Sequence, residues 1–149
     1  MTQGIPKVKI CGIRTLADAQ AAAQAGADFI GLVFVPGRRR RLELDVARTL
    51  VEGMKSGSGG VPPVVGLFAN QSLEEVNRTI ETCNLDMVQL CGTESLEYCR
   101  NTGAEVIKVV HIPGSPSPKS EVELDQRIEA YRDSGCSVTL DRLVEGLQG

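Results

Sequence analysis

The sequence has no excess of positive charge, no long apolar run and no paired cysteine spacing. At a formal net charge of −3 it gives no global reason to expect nucleic acid or a membrane surface as partner. No apolar stretch approaches the roughly 20 residues of a membrane-spanning helix. The first residues lack the apolar core of a secretion signal, which predicts a cytoplasmic protein. The five cysteines, Cys11, Cys83, Cys91, Cys99 and Cys136, are odd in number and contain no Cys-x-x-Cys pair. That argues against a disulfide framework and against a zinc site, and predicts reduced thiols. Gly-x-Gly-x-x-Gly and the P-loop are both missing, so no nucleotide-binding motif is present. Histidine occurs once, as His111, with no visible partner.

What is present is ordinary in bulk and informative in order. A chain of 149 residues, 42% hydrophobic and 23% charged, suffices for one globular domain with a core. Short apolar runs alternate with helical patterns along its length. Strands are expected near residues 7–10, 28–35, 64–68, 86–90, 106–110 and 137–140. Helices are expected near 17–25, 43–54, 73–83, 94–100 and 119–133. Thr15 is a good N-cap for the first helix and Gly26 a good C-cap. Ser72 with Glu75 has the spacing of a capping box. Six strands alternating with five helices is the βαβ rhythm of a parallel sheet. The rhythm fits a doubly wound sheet or part of a (β/α)8 barrel.

Reactive and polar residues collect where these strands end. Cys11 follows the first strand and Arg38, Arg39, Arg40 and Arg41 the second, with Asn70 after the third. Gln89 and Cys91 end the fourth strand, His111 follows the fifth, and Asp141 ends the sixth. In a parallel α/β architecture all these exits open on one face, which predicts a site for a small molecule. A thiol at such an exit serves as base or nucleophile when ionised, or simply packs as a small hydrophobe. The arginines form either a solvated run or a fork for a carboxylate or phosphate. Asp141 is either a cap for a following helix or a general acid.

Longer motifs then occur in a fixed order. They are Lys-Ile-Cys-Gly-Ile-Arg-Thr at 9–15, Ala-Gly-Ala-Asp-Phe-Ile-Gly at 25–31 and Val-Pro-Gly-Arg-Arg-Arg-Arg at 35–41. Val-Gly-Leu-Phe-Ala-Asn at 65–70, Val-Gln-Leu-Cys-Gly-Thr-Glu at 88–94 and Leu-Asp at 140–141 follow. Together they resemble the phosphoribosylanthranilate isomerases of tryptophan biosynthesis, and the Val-Pro-Gly-Arg segment resembles fungal members most.

The resemblance implies an incomplete (β/α)8 TIM barrel: one partial domain over residues 1–149, with about six strands, five helices and a parallel sheet. It implies an Amadori rearrangement of N-(5-phosphoribosyl)anthranilate to 1-(2-carboxyphenylamino)-1-deoxyribulose 5-phosphate, with no cofactor and no metal. Cys11 would be the general base at the sugar C2 and Asp141 the general acid at the ring oxygen. Arg40 would hold the anthranilate carboxylate, with Gln89 and Cys91 also touching substrate. The partner implied is a small phosphosugar, with neither nucleic acid nor membrane involved.

The sequence departs from the family pattern in three places. Cys91 stands where the family usually has His. Arg142 follows Asp141 where a small hydroxyl residue is usual; its charge would oppose proton retention by Asp141 if the side chains met, although successive strand residues face opposite ways. Gly149 falls where the family's Gly-Gly-Thr-Gly loop begins, so strands seven and eight and their phosphate-binding loops are expected to be missing. On that expectation the first and sixth strands are unpaired edges that favour self-association. Two alternatives stay open: a catalytically inactive truncated fragment, and a small open-sheet α/β binding module with a reversal in strand order.

Overall fold

The structure, a computed structural model, describes residues 5–57, 60–112, 114 and 117–142. Strands and helices alternate as β1 (Lys9–Cys11), α1 (Leu16–Gln24), β2 (Phe29–Val33), α2 (Leu44–Lys55), β3 (Val64–Phe68) and α3 (Leu73–Cys83). They continue as β4 (Met87–Leu90), α4 (Leu96–Arg100), β5 (Glu105–Ile112), α5 (Pro118–Asp133) and β6 (Ser137–Arg142). All neighbours pair in parallel, in the order β1-β2-β3-β4-β5-β6. The order never reverses, so the doubly wound alternative with its switch point does not apply. Sequential order in a curled sheet is the wall of a barrel.

The period of two along each strand sorts residues between the two faces. On β2 and the residue after it, Ile30, Leu32 and Phe34 turn toward the helices and are buried. Val64 and Phe68 on β3 and Val88 and Leu90 on β4 do the same. They meet Ala47, Leu50, Val51 and Met54 of α2 and Val76, Ile80 and Cys83 of α3. Phe34 and Phe68 stack with ring centroids 5.1 Å apart, joining the ends of β2 and β3. The opposite residues of each strand face the concave side, where the site lies.

Local chemistry sets the boundaries. Thr15 caps α1 by accepting from the Asp18 amide at 3.1 Å. Ser72 caps α3 by accepting from the Glu75 amide at 3.2 Å. The complete reciprocal box forms instead between Ser117, the N-cap of α5, and Ser120 in its first turn, which Pro118 opens. Strand β5 runs further than its apolar run predicts. It carries on through His111 and Ile112 because β6 pairs with it as far as Arg142. Helix α4 starts later than expected: Ser95 is its cap, which releases Glu94 to turn inward. All five cysteines are free thiols, as their spacing predicts. Among the described residues no helix is long and apolar enough to cross a membrane.

Candidate active site

A cavity of about 620 Å³ opens on the concave face at the carboxyl ends of the strands. Its lining follows the pleat: Lys9 and Cys11 from β1, Val33 and Val35 from β2 and its exit, Leu67 and Ala69 from β3 and its exit. Gln89 and Cys91 come from β4 and its exit, Val109 and His111 from β5, and Thr139 and Asp141 from β6. Arg38, Arg39 and Arg40 come in from the β2 exit, and Leu140 and Arg142 complete the β6 side. All five residues expected to bind or react, Cys11, Arg40, Gln89, Cys91 and Asp141, therefore line one cavity. So do Arg38, Arg39 and His111. Arg41 does not line it; Arg41 bridges to Val33 and pairs with Glu43 at 3.5 Å.

Cys11 is held in a narrow frame. It pairs in register with Gly31, where an added Cβ would stand 2.9 Å from the Cys11 Sγ. Only a residue without a side chain leaves the thiol its place. Beyond it the chain turns at Gly12, whose φ of +80° is a left-handed conformation suited to glycine. The Gly12 and Ile13 amides both donate to the Gly31 carbonyl, at 2.9 and 3.1 Å. Arg40 lies over that turn: a Cβ at Gly12 would stand 2.7 Å from its Cδ and Nε. Its Nη1 donates to the Cys11 carbonyl oxygen at 3.0 Å. A guanidinium is thereby fixed directly beside the thiol-bearing residue.

Lys9 donates its ammonium to the Gln89 Oε1, and Gln89 Nε2 approaches the Cys91 sulfur at 3.3 Å. Desolvation by burial pushes the Cys91 thiol above its ordinary range, against smaller opposing effects of Gln89 and Lys9. Cys91 is thus a neutral thiol at neutral pH. His111 sits in register beside Asp141. Its Nε2 lies 3.0 Å from the Cys91 carbonyl oxygen, and a carbonyl can only accept, so the proton is on Nε2. The Nδ1 is buried and has no hydrogen-bond partner among the described residues.

Sequence reasoning missed Lys9 and a buried pair behind the cavity wall. Lys108 donates to the Leu90 carbonyl at 3.1 Å, the Gly92 carbonyl at 2.7 Å and the Glu94 Oε2 at 2.8 Å, which uses all three of its protons. Glu94 Oε1 accepts from the Asn70 and Gly92 amides at 2.8 and 3.2 Å. Asn70, left-handed at φ 62°, accepts from the Thr93 amide at 2.8 Å. This network ties the exits of β3 and β4 together and so positions Ala69 and Cys91. Its signal in the sequence was a lone lysine in an otherwise apolar strand.

The model of the family described as N-(5'phosphoribosyl)anthranilate (PRA) isomerase matches residues 8–143. The N-(5'-phosphoribosyl)anthranilate isomerase of Dehalococcoides mccartyi is 46% identical over 106 residues, covering 71% of this chain and 48% of its own length. The crystal structure of phosphoribosyl anthranilate isomerase from Thermotoga maritima superposes with a TM-score of 0.80 at 29% identity. It matches 96% of this chain and 64% of its own. A further phosphoribosyl anthranilate isomerase, solved in complex with reduced 1-(o-carboxyphenylamino)-1-deoxyribulose 5-phosphate, gives a TM-score of 0.72 at 30% identity. It matches 94% of this chain and 77% of its own. The chain spans about half the length of the curated relatives it matches. With a family model matched over nearly its whole length, the chain belongs to the N-(5'-phosphoribosyl)anthranilate isomerase family.

Proposed function

We propose that the chain, as one partial barrel domain, isomerises N-(5'-phosphoribosyl)anthranilate. The observation that carries the reading is that Cys11, Arg40 and Asp141, from three separate strand exits, open into one cavity. Arg40 takes the anthranilate carboxylate in a guanidinium fork. Asp141 gives a proton to the furanose ring oxygen; the C1–O bond breaks as the nitrogen lone pair forms the C1=N iminium. Cys11 as thiolate then takes the proton from C2, and the electrons of that C–H bond close the C1=C2 double bond. The enolamine tautomerises to the C2 ketone, with the proton delivered to C1. No oxidant is needed, because C1 is reduced as C2 is oxidised. Lys9, through Gln89, and His111, through the Cys91 carbonyl, hold the cavity floor around the neutral Cys91 thiol.

Complementation tests the reading. An auxotroph that lacks this isomerase and carries the 149-residue chain should grow without tryptophan. Failure to grow while soluble chain accumulates would overturn activity of this chain and leave the inactive-fragment reading in its place.

Two further parts of the reading concern the chain in the cell. The family's place in amino-acid biosynthesis supports a cytoplasmic location. Among the described residues strands β1 and β6 are the two ends of the sheet, and Val8 just before β1, Ile10 within it and Leu140 within β6 are 50%, 40% and 50% exposed. Such edges favour pairing with a second copy. Sedimentation should show mass rising with concentration; a monomer up to millimolar concentration would contradict it.

A further inference from the structure

His111 is the one histidine of the chain, and only half of its imidazole is accounted for. Nε2 donates to the Cys91 carbonyl oxygen at 3.0 Å, which ties the ring to the β4 exit and leaves a lone pair on Nδ1. That Nδ1 is buried and meets no donor among the described residues. A buried acceptor left unpaired is costly, so such an atom calls for a donor. Among the described residues β5 pairs with β4 on one side and with β6 on the other. On β6 the Cα partner of His111 is Asp141, and both residues line the cavity. Partners in register on adjacent parallel strands send their side chains to the same face, with the strands about 4.8 Å apart. The other ionisable groups of the cavity offer no such pairing. Lys9, Arg38, Arg39, Arg40 and Arg142 are cations without a lone pair, and Cys11 and Cys91 come from β1 and the β4 exit, which do not pair with β6.

We infer that His111 is a positioning residue for Asp141, the two holding between Nδ1 and the carboxyl the one proton that the ring oxygen takes. This rests on the proposed function and deepens it. A carboxyl in water sheds its proton near pH 4, whereas a general acid has to carry one near neutral pH. A lone pair at Nδ1 accepts from the O–H of a carboxylic acid and repels a carboxylate, so it favours the loaded form. With the proton on Nδ1 instead, the imidazolium lies between two acceptors, the Asp141 carboxylate and the Cys91 carbonyl. In either place it is a single proton, and it leaves through Asp141. Once it is on the ring oxygen the pair is left as carboxylate and neutral imidazole. The C2 hydroxyl sheds one proton as the ketone forms, so the cycle restores the pair. Asp141 is exposed and its carboxyl does not reach Nδ1 in this structure; catalytic hydrogen bonds often shorten only once substrate is bound.

The pH dependence of turnover by the 149-residue chain tests this with His111→Gln. A glutamine keeps a donor where Nε2 stands and removes the acceptor at Nδ1, so the bond to the Cys91 carbonyl survives. The advantage of wild type over His111→Gln in kcat should widen by about 10-fold between pH 5 and pH 7.5, because over that range the pair stays loaded and a lone carboxyl does not. KM and melting temperature should change little. A constant ratio across that range would overturn the inference, leave the proposed function intact and reduce His111 to a tie between β5 and the β4 exit. A second measurement needs no turnover. The sole histidine gives two assignable ring-nitrogen signals in NMR, and Asp141→Ala should displace that of Nδ1 more than that of Nε2. Two unmoved signals would show that the side chains do not meet, and the inference would fail on that ground. A wild-type chain without turnover would overturn the functional reading and the inference with it.

Discussion

Lys108 Nζ lies 2.8 Å from Glu94 Oε2, and both side chains are only 2% exposed. The pair carries two opposite charges out of water, where each is costly alone. Tyr131 closes it from the α5 side: its ring lies 5.7 Å from the ammonium, and its hydroxyl donates to the Glu94 carbonyl at 2.8 Å. The pair stands behind the cavity wall, and its hydrogen bonds reach the loops that carry Ala69 and Cys91.

Lys108→Met should therefore destabilise the fold by about 3–5 kcal/mol, because it leaves a buried carboxylate without its cation. Adding Glu94→Gln should recover part of that, since the amide oxygen still accepts from the Asn70 and Gly92 amides. Urea unfolding measures both. A Lys108→Met variant as stable as wild type would show that the carboxylate finds water.

Gly31→Ala should separate stability from activity. The new methyl would stand 2.9 Å from the Cys11 Sγ and 3.1 Å from its Cα, so the thiol-bearing residue must shift. Overpacking of this kind costs about 1–3 kcal/mol. A displacement of about 1 Å at a reacting group costs about 100-fold in rate. Steady-state assay with thermal unfolding on the same sample should show the loss of turnover outrunning the loss of stability. Unchanged turnover would mean that the Cys11 position is not critical.

The order of elements was legible because each strand is an apolar run bounded by a breaker, and each helix has a cap. Cys11, Arg40, Gln89, Cys91 and Asp141 were legible as a group because parallel strands send all their exits to one face. The length of β5 was not legible. Its extension through His111 and Ile112 depends on pairing with β6, which no local pattern reports. Glu94 was read as the start of a helix, since a glutamate beside an apolar run suits a first turn. Its inward turn depends on Lys108, remote in sequence, and on Ser95 taking over the cap. Lys9 was not legible as a cavity residue, because alternation along a strand does not say which of its faces is concave; in the curled sheet the Lys9 and Cys11 face lines the cavity.

Stability should fall in alkali. Burial pushes the Cys83 thiol up to about 11 and the Cys99 thiol up to about 12, and raises Cys91 as well. In the unfolded chain these thiols ionise near pH 8.5. Above that pH the unfolded state holds fewer protons than the folded one, so its relative free energy drops. The stabilising contribution is intact below about pH 8 and shrinks as pH rises toward 11. The slope is about 1.4 kcal/mol per pH unit for each thiol that folding keeps protonated. Urea midpoints measured between pH 7 and 10.5 should decline accordingly, and Cys83→Ala should flatten the decline. A flat profile in wild type would contradict the assignment.

The chemistry proposed for the cavity stands or falls on Cys11. A serine hydroxyl fills nearly the same space as a thiol but does not ionise near neutral pH, so it cannot take the C2 proton. Turnover of phosphoribosylanthranilate by the 149-residue chain should be measured for wild type and Cys11→Ser, with circular dichroism and melting temperature recorded for each. The account predicts two equally folded proteins whose turnover differs by about 100-fold or more, the usual contribution of a positioned general base. Equal turnover in the two would contradict it and return Cys11 to a packing role.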